Sequence, residues 1–330
     1  MAQTLSSSVD IEQNKRGELF SMLLRLHPKE EGMVQPGAGH QVQAAFLDIV
    51  RQSDAALADW LHTPNQRRPY TLGLLQGFNH LTPTRLEEVV MKREEVLVKP
   101  GQVYWLRITM LDASVFGPFA RYLIAHPRDL FVRIGNTRFE ISRLLCVPEH
   151  DNTQTWVGYT SCADLQAARK PQKQYQFEFA TPTTFSRGQQ AWGKLFKLFP
   201  EPALVFESLA HQWEAFAPTD LRLAAQGLTI RDLAAWCEEH VIVSRYTLHT
   251  SHLPFSKFGQ IGFQGEITYE VKGNPAASEA SWLTPLARFA LFSGVGYKTT
   301  MGMGQARCIS IPPPASIDQA TTNPAMEAQT

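Results

Sequence analysis

The chain has 330 residues, room for two domains of ordinary size and a sizeable core. Lys plus Arg and Asp plus Glu both number 31, so the formal charge is zero; a polycationic surface is excluded and any nucleic-acid contact is confined to local patches. With 44% hydrophobic residues and no apolar run of about 18 residues, the composition is that of a folded protein rather than a membrane span, and an N-terminus without a signal-like apolar region makes the cytoplasm the expected compartment.

In chain order, residues 1–14 are polar and read as a disordered tail. Glu18–His27 reads as a first strand ended by Pro28. From Gln41 to Leu61, Val42, Ala45, Phe46, Ile49, Val50, Leu57, Trp60 and Leu61 recur at helical spacing on one face. Strands are expected at Tyr70–Phe78 and Val103–Leu111, a helix at Ser114–Ala125, and strand material at Phe131–Val147 broken near Gly135 and Asn136. This order, β-α-β-β-α-β, is a ferredoxin-like unit, assigned to residues 15–150. Asp151–Lys170 reads as a junction. The pattern then repeats over 171–311: a strand at Tyr175–Ala180, helices between Gln189 and Phe216, and strands near Val241–Leu248 and Phe263–Val271. A helix from Trp282 to Phe292, with Ser281 as its cap, and a final strand from Ala306 close the set. The expected fold is therefore α+β, two tandem ferredoxin-like domains. The proline-led stretch 312–330 is expected to be disordered.

Between that last helix and strand lies the most unusual stretch. Gly294, Gly296, Gly302 and Gly304 alternate with Tyr297, Lys298, Thr299 and Thr300. Glycines that reach positive φ let successive N–H groups line an anion-binding concavity, with Lys298 as a point charge beside it. A Walker loop or a dinucleotide loop follows a strand and opens a helix, the opposite order. A plain surface turn is the alternative reading. The cysteines (Cys146, Cys162, Cys237 and Cys308) form no C-x-x-C pair, and His249 and His252 lie on no evident helix; neither a metal site nor a cofactor is expected.

The segment LARFALFSGVGYKTTMGMGQ resembles the C-terminal signature of the CRISPR repeat-processing endoribonucleases of the RAMP superfamily. ADWLHTPNQRRPYTL, FEFATPTTF, PEPALVFESLAHQWEAF and GFQGEITYE resemble further stretches of the same family, so the likeness runs from Glu18 to Ile311. The resemblance implies two ferredoxin-like domains that bind RNA, with the glycine-rich loop contacting it. It implies metal-independent cleavage of CRISPR precursor transcripts within their repeats, by attack of a ribose 2′-OH on the adjacent phosphate. The expected partners are CRISPR repeat RNA and other CRISPR effector subunits, with no membrane, in a monomer or homodimer. A non-catalytic RAMP-type subunit that holds guide RNA is the alternative.

Such chemistry needs a base, an acid and a cation at the phosphate. His40 precedes the 41–61 helix, at the end where its dipole favours a neutral ring, and His62 follows it, where protonation is favoured. As one continuous helix these ends stand roughly 30 Å apart, so both reach one phosphate only if the helix is shorter or bent. The resemblance implies a catalytic histidine at the Leu61-His62 step, assisted by the basic residue six positions on, Arg68. Where some relatives carry a tyrosine in the helix, this chain has Phe46 and Leu47, with Tyr70 the nearest substitute. A capping role is the alternative for His62. Arg187 and Arg307 join the loop as expected RNA contacts, with Lys194 and Lys197 as further cations.

Overall fold

The computed structural model describes residues 17–63, 66–125, 130–147, 156–255, 259–273 and 277–310. The tails expected over 1–14 and 312–330 lie outside the described residues. In the first half, β1 (Glu18–Pro28) is the central strand. Met22, Leu24 and Leu26 alternate onto one buried face and meet Val42, Phe46, Ile49 and Val50 of α1 (Gly39–Ser53). The antiparallel sheet runs β3 (Tyr70–Leu72), β5 (Tyr104–Met110), β1, β7 (Thr137–Leu145), β6 (Phe131–Ile134), with β8 (Gly158–Ser161) also paired to β1. In the second half the order is β12 (Val241–Pro254), β13 (Gly259–Val271), β9 (Gln174–Thr183), β14 (Ala306–Cys308). Both sheets place the last strand of the unit beside the first and the third between first and second, the ferredoxin-like arrangement.

Several elements depart from the sequence reading. The long helix expected over 41–61 is two: α1 stops at Asp54, whose extended backbone (φ −156°) also caps α2 (Ala55–His62) by accepting the Leu57 amide at 2.9 Å. An aspartate in mid-pattern offers its carboxylate to a new helix start more readily than it continues an old one. The strand expected over 70–78 ends at Leu72. A small sheet of β2 (Gly32–Val34) and β4 (Val96–Val98), with α3 (Pro83–Lys92), fills the connection to β5 unannounced. α4 (Ala113–Ala125) lies where expected, and the Gly135 turn joins β6 to β7. The junction carries β8 and a short α5 (Cys162–Ala167) held by a Ser161–Asp164 capping box. The stretch 189–216 holds a hairpin, β10 (Phe185–Gln190) with β11 (Gly193–Lys197), before the single helix α6 (Pro202–Phe216). α7 (Ile230–His240) was missed, its polar face masking its period. α8 (Ser278–Ser293) starts a turn earlier than expected. Ala277 is its N-cap; Ser281 lies inside it and bonds back to the Ser278 carbonyl. No described helix is long and apolar enough to cross a membrane.

The domains are joined through the end of α8. The last carbonyls of a helix have no acceptor-satisfying amide of their own. Here Arg107 of β5, only 5% exposed, donates to the Leu291 carbonyl, and Thr109 Oγ1 donates to the Phe292 carbonyl at 2.6 Å. Arg107 also donates to Gln305, to Ser21 Oγ (2.8 Å) and to the Trp156 carbonyl (3.0 Å). A cation at a helix C-terminus also complements the helix dipole. Burial first, and then the nearby Arg307, push this guanidinium down to about 9. A first-domain strand thereby caps the helix that launches the second domain's glycine loop.

Candidate nucleic-acid interface

The loop from Gly294 to Gln305 folds on its own acceptors. Val295 N–H donates to Gly304 O (2.8 Å), Tyr297 N–H to Thr184 O (2.9 Å), Gly304 N–H to Pro182 O (3.1 Å), and Gly296 N–H to Ser208 Oγ (2.8 Å). Gly296 takes φ +85°, and a Cβ there would meet the Thr184 carbonyl oxygen at 2.5 Å, so glycine is required. These amides face the protein, which narrows the expected anion-binding concavity to the turn at Lys298–Thr300. The amides of Thr299 and Thr300 meet no acceptor among the described residues. Lys298 itself holds a left-handed φ of 58°, rare for a residue with a Cβ. Its ammonium sits 4.1 Å from the Phe255 ring centroid and 3.6 Å from Met301 Sδ. Burial, and then Lys194, push it below its ordinary 10.5. The Tyr297 ring packs against Phe196, 5.5 Å between centroids, under the Lys194 ammonium.

α1 meets this turn from the other domain. Gly39 has no room for a Cβ because the Met301 carbonyl occupies the place. One residue on stands His40, partly buried, its Nδ1 shielded from solvent with no hydrogen-bond partner among the described residues. Burial holds its ring below the ordinary 6.5, so it is neutral at physiological pH. The sequence reading expected the same direction from the helix dipole; desolvation is the cause here. One turn further, Gln43 Nε2 donates to Thr300 Oγ1 (3.2 Å) and to Tyr70 Oη (3.1 Å). Tyr70 therefore brings a phenol from β3 to the helix that lacks one, and burial raises its pKa and keeps it protonated.

His62 is the last residue of α2 and is exposed. The Arg68 guanidinium reaches the carbonyls of His62 (3.3 Å) and Thr63 (3.4 Å) and lies near the Tyr70 phenol. The capping role considered for His62 thus belongs to Arg68. Gln43 thus bridges Tyr70 of β3 to Thr300 of the loop, while Arg68 holds the carbonyls at the end of α2. Of the other expected RNA contacts, Arg187 pairs with Glu207 at 2.7 Å. Arg307 pairs with its cross-strand neighbour Glu178 at 2.6 Å and lies over the Trp156 ring. His249 and His252, three apart on β12, project to opposite faces, and no group of three His, Cys, Asp or Glu among the described residues is arranged to hold a metal. Sequence reasoning missed Gln43 and Arg107. An arginine inside the apolar run YWLRITM was a readable sign of a buried partner.

Comparison with known proteins bears on this arrangement. The family described as "CRISPR Cas6 N-terminal domain" matches residues 19–167, and "CRISPR-associated endoribonuclease Cas6" matches 177–306. A CRISPR-associated endoribonuclease Cas6 of Mycobacterium tuberculosis is 31% identical over 150 residues, 44% of this chain and 42% of that relative, so the match spans less than half of the relative's length. Among solved structures, a Cas6 product complex superposes with a TM-score of 0.70 at 26% identity, over 88% of this chain and 100% of that one. A Cas6 substrate mimic complex superposes with a TM-score of 0.58 at 25% identity, over 88% and 99%.

Proposed function

Because the chain belongs to the Cas6 family of CRISPR-associated endoribonucleases, we propose that it cleaves CRISPR precursor transcripts within their repeats, without a metal, at the face where His40 meets the glycine-rich loop. The observation that carries this is the seating of the α1 N-terminus on Met301, which sets a neutral histidine and a half-buried lysine about one loop turn. In the reaction the 2′-oxygen bonds to the phosphorus and the bond to the 5′-oxygen breaks. His40, neutral, takes the proton from the 2′-OH. Lys298, with its pKa lowered, stands by the phosphate charge and gives a proton to the departing 5′-oxygen. The products are a 2′,3′-cyclic phosphate and a free 5′-OH. Thr300, fixed by Gln43, supplies hydroxyl and amide donors beside the phosphate. The solved relatives with a product and a substrate mimic support repeat RNA as the ligand.

A second reading keeps His62 as the acid or base with Arg68 at the phosphate. The placement of Arg68 on the His62 carbonyl and near Tyr70, which Gln43 ties to Thr300, favours it. The test is incubation of the protein with repeat RNA in excess EDTA, beside the same RNA carrying a single 2′-deoxy residue at the cut. Cleavage of the first, with a cyclic phosphate end, and binding without cleavage of the second are expected. A requirement for magnesium, or cutting of the deoxy substrate, refutes the mechanism. Binding with no cleavage of either makes the chain a guide-RNA-holding subunit.

A further inference from the structure

Beneath the turn at Lys298 lies a third apolar cluster, apart from the cores of the two domains. Leu253, Phe255 and Met303 are buried at its centre, with Leu74, Val90 and Met301 packed around them. The first domain supplies Leu74 and Val90, the glycine loop its two methionines, and the outer end of β12 the rest. That end of β12 needs pinning. β9 pairs with β13 no further out than Phe263, so Ser251–Pro254 and Gly259–Gly262 run on as a two-stranded ribbon. Two strands alone are marginally stable, and Leu253 and Phe255 seat this ribbon in the cluster. Packing accounts for Leu253. Phe255 has a further contact: its ring centroid stands 4.1 Å from the Lys298 ammonium, nearer than the Tyr297 ring at 5.7 Å, while Met301 Sδ lies 3.6 Å away. The backbone supports this placement, since Lys298 holds a left-handed φ of 58° that is unfavourable for a residue with a Cβ.

We propose that Phe255 is a positioning residue for the cleavage, the negative face of its ring holding the Lys298 ammonium at the turn that receives the scissile phosphate. An ammonium taken partly out of water needs a partner to be fixed there. A carboxylate would fix it too, but would cancel its charge and repel the phosphate. A ring quadrupole attracts the ammonium from one side and leaves its charge, and the N–H bonds on its other side, for the substrate. The ring also sustains the charged form against burial and against Lys194 of β11, the charged group that bears on Lys298; Tyr297 lies beside both cations. Phe255 acts only through this lysine. The inference therefore rests on the reading of Lys298 as the group that serves the phosphate and the departing oxygen.

The test replaces Phe255, in the full chain, by phenylalanines carrying one, two and three ring fluorines. Fluorine keeps the shape and apolar character of the ring while draining its negative face. Single-turnover cleavage of repeat RNA at saturating protein is expected to fall stepwise, by about 3- to 30-fold at the third fluorine, the weight of one partly desolvated cation–π contact. Affinity for the same RNA with a 2′-deoxy residue at the cut is expected to change less than about threefold, and thermal stability to hold. In parallel, isotope-labelled lysine side chains are titrated by NMR in the free protein, the Lys298 signal being identified by its loss in Lys298→Arg. A weaker ring favours the neutral amine, so its midpoint is expected to move further down with each fluorine. A rate that stays flat across the series overturns the proposal, because packing alone does not distinguish these rings. A falling rate with a fixed midpoint overturns it as well, since the ring then acts by another route. Lys298→Ala separates the two readings. If that variant is slow and the series flat, Phe255 only packs and the role of Lys298 stands. If it cuts like the wild type, the role of Lys298 fails and that of Phe255 with it, whatever the midpoint does.

Discussion

Gly39 and Met301 share a contact that no residue with a side chain allows, since a Cβ at position 39 would overlap the Met301 carbonyl oxygen. Through it, a helix of the first domain sets its N-terminal turn against a loop of the second. The consequences concern both the grip on RNA and the chemistry.

Gly39→Ala forces either α1 or the turn at Thr299–Met301 to retreat, because backbone atoms cannot give way as a flexible side chain does. The expected outcome is a loss of repeat-RNA affinity of roughly tenfold, about 1.4 kcal/mol, with a smaller rate at saturating protein. Fluorescence anisotropy and single-turnover cleavage together check it. Unchanged values in both would mean that the contact is packing alone.

His40→Ala is expected to lower the single-turnover rate by roughly 10² to 10⁴ while leaving RNA affinity within a few-fold, the usual weight of one positioned acid or base. His62→Ala, measured beside it, is expected to change the rate by less than about tenfold. The opposite ranking returns the assignment to the end of α2.

The pH profile follows from the two shifts. His40 is held below 6.5, so a base at that position is already deprotonated at neutral pH. The rate should rise only on the acid side of 6.5 and lie flat through neutrality. Lys298 is held below 10.5 and acts protonated, so the descending limb should begin on the acid side of that value. A rate falling steadily between about pH 6.5 and 8 would instead make His40 the proton donor.

Arg107→Met keeps the bulk in β5 but leaves the Leu291 carbonyl and Gln305 Oε1 without their donor. Each buried acceptor so orphaned costs about 1–3 kcal/mol. Thermal or urea unfolding should show this loss, with earlier release of the second domain's last helix in hydrogen exchange. Since no ionised group is lost at the cut, cleavage by folded protein at saturating RNA should fall little.

The sequence alone carried the fold class and the family likeness, because both reside in local signals. Period-2 runs such as Met22-Leu24-Leu26, the helical face of α1, and four glycines whose positive φ only that residue takes easily are each written over a few adjacent positions. It also isolated His40, His62, Arg68 and the loop as candidates. Which of them stand together was decided in three dimensions. The break at Asp54 turned one long helix into two. The absence of a Cβ at Gly39, whose place the Met301 carbonyl takes, set His40, not His62, beside the Met301 turn. Arg68 bonds the carbonyls at the end of α2, and Arg187 and Arg307 each pair with a carboxylate. Such pairings join residues up to 257 positions apart, as Gln43 and Thr300 are, and depend on the docking of two domains. No periodicity or spacing within either segment encodes that distance; only the packing of the domains does.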